Sequence, residues 1–302
     1  MEFDDRWAHR GNPTTLGSDY YHMGYPMGIK VRAMAHSYGI AYAEDVAFVT
    51  IKVRNESGSF YDENNVWHPA MTMPDGSVLN GGKGFNYKNA YLGFYFDVDA
   101  FSAQADGDLG GRSNDDDMMG FDPYYRFAYI YDLDGVSSGS YNDLAYTSIK
   151  LLDTPVSSSY IDSDGDGSFD VEPGDTLGMS DWHYFSWYAR PGVVSKEDNA
   201  PSCYAGEEGC PIALNKEEIQ YKLLAGDTTN LSDNESSYYF HSDESGDLNP
   251  HFDSMSNLLI ENPDGLDCVL IMSCGPFDLA VGEETFFSFA IIMGQNLEDL
   301  QN

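Results

Sequence analysis

Asp162-Ser-Asp164-Gly-Asp166-Gly-Ser-Phe-Asp170 sets carboxylates at alternate positions around two glycines. Calcium takes six to eight hard oxygen ligands from a tightly turning backbone, and this spacing offers them. Asp162, Asp164 and Asp166 supply the first three ligands, and Gly167 stands where a sharp turn needs positive φ. Ser168 offers its backbone carbonyl, Phe169 an apolar anchor, and Asp170 a further carboxylate. The bidentate Glu that closes an EF-hand loop is replaced by Pro173, so Glu172 or Asp175 must substitute. The flanks do not read as two helices. The expected site is therefore a structural calcium staple in a loop between strands, closer to extracellular calcium-binding repeats than to an EF-hand.

A second cluster joins Asp97 and Asp99, at the end of a predicted strand, to Asp115, Asp116, Asp117 and Asp122 in an expected acidic loop. Carboxylates gathered in this way repel unless a cation sits between them. Asp106 and Asp108 extend the cluster, and Asp132-Leu-Asp134-Gly135 is a third, weaker candidate.

Covalent chemistry has thinner support. Gly135-Val-Ser137-Ser-Gly139 matches a nucleophile elbow, but loop residues follow where that elbow needs a helix. The seven histidines lack zinc spacing. A glycosidase needs two facing carboxylates, and with 50 acids a pair can always be chosen. The run Trp182–Tyr188 is aromatic on both faces of a strand, which reads as core between two layers. Trp67, in a long loop, and Trp187, in that run, are the candidates for ring contacts with a sugar. The balance favours a protein that is not an enzyme.

The charge excludes some partners. Fifty acids against 15 bases give a net charge of −35 in 302 residues, which repels nucleic acid and anionic lipid. No stretch approaches the roughly 20 apolar residues of a membrane span, so insertion is not expected. The start carries no signal peptide, and an excised segment of a secreted protein is the expectation. Cys203 and Cys210 bracket a short loop and are expected to form a disulfide. Cys268 and Cys274 share one predicted strand, about 20 Å apart, too far to bond each other.

The elements that must carry these residues are mostly strands. Apolar residues make up 42% and aromatics 14%, a load that suits pleated, half-buried surfaces. Period-two alternation marks strands near residues 29–36, 49–54, 91–98, 126–131, 144–152, 182–188, 268–273 and 285–293. One helix is expected from Asn215 to Gly226, with a capping box at Asn215/Glu218 and a stripe of Ile219, Leu223 and Leu224. A second begins at Asn296. The expected fold is mainly β: an antiparallel β-sandwich, jelly-roll-like or Ig-like, with long loops and one short helix. Residues 1–26 read as an arm and 27–302 as a single sandwich domain with calcium-binding loops.

Several stretches carry a resemblance: Ala47–Asn55, Tyr91–Asp99, Asp116–Asp122, Ile149–Pro155, Tyr221–Gly226 and, most specific, Ser273-Cys-Gly-Pro-Phe-Asp-Leu-Ala-Val-Gly282. With these the chain resembles large uncharacterised secreted β-rich proteins of marine and sediment bacteria, which often carry a C-terminal secretion-sorting tail. The resemblance implies an extracellular, cell-surface module and transfers no catalytic residues. The leading expectation is a secreted, Ca2+-stabilised structural or adhesive module, with filament formation from copies of itself left open. The alternatives are a carbohydrate-binding module and a calcium-dependent polysaccharide hydrolase or lyase, each with polysaccharide as partner.

Overall fold

A computed structural model of the chain describes residues 2–4, 26–41, 43–73, 75–99, 117–122, 124–133, 146–162, 166–187, 216–231, 239 and 265–302. Among these residues the strands are β1 (Glu2–Asp4), β2 (Ile29–Ser37), β3 (Val46–Asn55), β4 (Phe60–Tyr61), β5 (Trp67–His68), β6 (Tyr87–Asp97), β7 (Asp117–Asp122), β8 (Phe127–Asp132), β9 (Tyr146–Asp153), β10 (Asp181–Ser186), β11 (Cys268–Leu279) and β12 (Glu284–Gly294). Two helices accompany them, α1 (Lys216–Ala225) and α2 (Leu297–Gln301). Each strand expected from alternation is present, with ends moved by a few residues. The expected acidic loop at 115–122 is instead partly β7, whose Met119 and Phe121 pack into the core while Asp117 and Asp122 stand at its two ends.

All strand pairs are antiparallel. A seven-stranded sheet runs β1-β2-β3-β12-β9-β8-β7, a three-stranded sheet runs β10-β11-β6, and β4 and β5 form a separate hairpin. Alternation decides which side chains face inward. Met119, Ala128, Ile130 and Ile149 of the large sheet meet Phe96, Trp182, Tyr184, Leu270 and Met272 of the small one. Phe94 reaches across to Phe287 and Phe289, at 5.5 and 4.9 Å between ring centroids. The result is an antiparallel β-sandwich.

The small sheet is apolar on its outer face as well. Phe185, Val269 and Ile271 point away from the large sheet, and Ile219 and Leu223 of α1 cover them, joined by Tyr239. This is why the Trp182–Trp187 run carries aromatics on both faces: β10 lies between two layers. α1 ends at Gly226, whose φ of +62° is costly for a side-chain-bearing residue. The Gly226 N–H donates to the Leu223 carbonyl and the Asp227 N–H to the Lys222 carbonyl, which satisfies the last turn. β11 also needs a glycine, because a Cβ at Gly275 would lie 2.2 Å from the Tyr91 ring.

The fold predicts that Leu223→Ala, which empties a fully buried position under the sheet, destabilises the protein by about 2–5 kcal/mol. Equilibrium urea unfolding checks this; a loss under about 1 kcal/mol would mean that α1 is not part of the core.

Candidate metal centre

The site is built by strand pairing. β6 runs antiparallel to β11 with Asp97 opposite Val269. Directly opposed residues share a face, and carrying the same register two residues further brings Asp99 beside Asp267. Carboxylate oxygens of Asp97, Asp99 and Asp267 all lie within 4.8 Å of one another. Asp97 and Asp99 are exposed, while Asp267 is buried. Ligands on opposite sides of a calcium ion stand about 4.6–5.2 Å apart, twice the Ca–O distance, so the spacing fits. Three carboxylates offer only hard oxygens, which suits calcium and does not suit a soft metal. Three negative charges this close disfavour one another without a cation between them.

The corner beside this cluster is also acidic. The Asp117 N–H donates to the Leu266 carbonyl and the Leu266 N–H to the Asp117 carbonyl, at 3.1 and 2.9 Å, so β7 is joined to the approach to β11. Asp117 lies opposite Asp132 across β7 and β8, and both are buried, at 1% and 2% exposure. Burial pushes the Cys268 thiol well up, and the negative charges of Asp117 and Asp267 add to this. The Trp187 N–H donates to the Asp267 carbonyl at 2.7 Å.

Of the residues expected to bind metal in the second cluster, Asp97 and Asp99 come together. Asp117 lies at the neighbouring corner, and Asp116 falls outside the described residues. Asp122 sits at the far end of β7 and does different work. It accepts the Tyr124 and Tyr125 N–H groups at 2.9 Å and the Gln301 amide at 2.6 Å. Burial pushes its carboxyl up, but those hydrogen bonds outweigh burial and leave it below its usual range. Asp267 was not among the expected ligands. No local spacing announces it; only the register between distant strands does.

The described ends of the 162–170 segment are joined by a bridge between Ile161 and Val171. Asp162 accepts the Gly167 N–H at 2.9 Å and Asp166 the Ser168 N–H at 2.6 Å. Gly167 has the expected positive φ, +91°. Asp164 lies outside the described residues. The described acids Asp162, Asp166 and Asp170 do not converge as the Asp97 group does. Asp175 accepts the Glu172 N–H and so braces the next turn. Phe169, expected as an anchor, is exposed and tilts against Tyr160.

Trp67 is 52% exposed on the β4–β5 hairpin, with the exposed Tyr61 ring 4.8 Å away. Asp62 fixes that turn by accepting the Val66 and Asn64 N–H groups and pairing with His68 at 3.0 Å. Trp187 instead packs half-buried against the α1 layer. Ser137, Cys203 and Cys210 lie outside the described residues. Among the described residues, no helix is long and apolar enough to cross a membrane. Comparison of the chain with protein-family models, with curated proteins and with solved structures found no match in any of the three.

Cys268 and Cys274 are free, buried thiols in β11; the strand spacing excludes a bond between them but not a bridge to another cysteine. Burial pushes Cys274 up to about 12. Neither is expected to react with iodoacetamide at pH 8 in the folded protein, and both are expected to react in urea. Peptide mapping by mass spectrometry checks this, and native labelling of either would contradict the burial.

Proposed function

We propose that the protein is a secreted, calcium-stabilised, non-enzymatic extracellular module with a structural or adhesive role. The observation that carries this reading is the convergence of Asp97, Asp99 and Asp267 within 4.8 Å. A calcium ion there offsets two of the three negative charges and ties the end of β6 to the start of β11. In the 162–170 loop the acid spacing and the positive φ of Gly167 are in keeping with a second, local set of oxygens, although its described acids do not converge. The net charge of −35 and the resemblance to secreted bacterial β-rich proteins support an extracellular setting.

Scanning calorimetry in calcium and in EGTA tests the proposal. Calcium at about a hundredfold its Kd is expected to add about 2.7 kcal/mol to the folded state. Asp267→Asn is expected to remove a large part of that gain. An identical melt in both buffers overturns the calcium reading.

The exposed Trp67–Tyr61 pair favours a second reading, a carbohydrate-binding module. The rings stand on a hairpin already fixed by Asp62, so little ordering is needed on binding. On this reading, Trp67→Ala and Tyr61→Ala abolish retention on insoluble polysaccharide without shifting the melt. Retention equal to that of the parent protein excludes the hairpin as the contact.

A further inference from the structure

The outer face of the seven-stranded sheet holds a cleft of about 460 Å³, between α2 and the approach to β3. Strand register sets its floor: Lys150 stands between Phe127 on β8 and Ala290 on β12, and Ile292 stands opposite Val46. Phe127 is buried beneath, Tyr125 is exposed at one side, and Leu300 of α2 forms part of the opposite wall. The volume lies in the range of small-molecule sites, which combine an apolar lining with a few charged groups.

Two of those charges stand out. Among the described residues Lys30, Lys52, Lys88 and Lys222 each pair with a carboxylate. Among the described residues the Lys150 ammonium has no ion-pair or hydrogen-bond partner within reach, although the chain has 50 acids to 15 bases. Lys83 also lacks an ion pair but stands exposed at a turn. Asp122 is the acid that feels the Lys150 charge, and its oxygens already accept two backbone N–H groups and the Gln301 amide. Asp45, on the rim of the same cleft, likewise has no side-chain partner among the described residues. Asp299 accepts the Gln295 N–H. A half-buried cation at the floor calls for an anion. With Asp45, Asp299 and Asp122 around it, a simple anion meets an excess of negative charge.

We propose that this cleft binds a small zwitterion with an apolar body, the chemistry of a free apolar or aromatic amino acid. Its carboxylate meets the Lys150 Nζ, its ammonium faces Asp45 at the rim, and its side chain lies on Ile292 and Tyr125. The contacts pair the Lys150 and Asp45 charges separately and add no net charge to an acidic cleft.

Titration by NMR with phenylalanine, phenylalaninamide and N-acetylphenylalanine tests this on the whole protein. Phenylalanine is expected to bind in the millimolar range or tighter and to shift resonances of Phe127, Ile292 and Leu300. The two derivatives, each lacking one charge, are expected to bind at least tenfold more weakly, as is phenylalanine to Lys150→Met or Asp45→Asn. Absence of phenylalanine binding overturns the proposal. So does binding unchanged by Lys150→Met, or by the loss of either charge from the ligand. The derivatives probe the unaltered protein, so the answer does not depend on the variants folding.

Discussion

Strand β11 runs through the molecule with apolar side chains on both faces, so two separate layers must cover it. Leu270 and Met272 turn toward the large sheet, Val269 and Ile271 toward α1. A strand buried on both faces cannot show polar alternation and reads as a continuous apolar run. Its neighbours inherit the constraint. β10 places Trp182 and Tyr184 in one layer and Phe185 in the other, and Gly275 leaves room for the Tyr91 ring. The low-polarity surroundings also set the chemistry of Cys268 and Cys274, whose thiols are held in the neutral form by burial.

The acid excess meets this core at one corner, where β6 ends and β7 and β11 begin. Asp117 and Asp132 are nearly fully buried and directly opposite each other. Like charges directly opposed across a ladder are unfavourable, and more so out of water. Asp267 follows Leu266, the residue that pairs with Asp117, and points its carboxylate to Asp97 and Asp99. Acids at exposed turns cost little, because water screens them. Acids at this corner oppose the packing that holds them, and on the calcium reading a bound cation offsets part of the repulsion.

The strands were legible in the sequence because sheets with one buried face leave a period-two trace. Ile51 and Val53 on β3 and Phe287 and Phe289 on β12 carry it plainly. α1 was legible from Ile219, Leu223 and Gly226, and α2 from Asn296, which caps it by accepting the Asp299 N–H. β7 was obscured: its three-aspartate approach and Gly120 look like a loop, and only pairing with β8 and burial of Met119 against the other sheet reveal the strand. The metal cluster was half legible. Asp97 and Asp99 mark themselves by spacing. Asp267 is joined to them by a register between β6 and β11 that no short stretch of sequence encodes.

That difference in origin separates the two acidic sets in what a bound ion does for stability. The acids of the 162–170 loop are neighbours in sequence, and the described contacts there are short-range, such as the Gly167 N–H to the Asp162 carboxylate. A cation can gather such neighbours in an unfolded chain too, and any affinity for the unfolded state subtracts from the gain in folding stability. Asp97, Asp99 and Asp267 meet only when β6 and β11 are paired. An unfolded chain must close a loop of about 170 residues to reproduce that geometry, against fewer than ten for the local turn. The added closure cost is about 2–3 kcal/mol. The unfolded state therefore competes weakly for an ion at the strand-end cluster. On the calcium reading, this cluster, although the less conspicuous in the sequence, couples binding to the integrity of the sandwich more strongly than the acidic loop does.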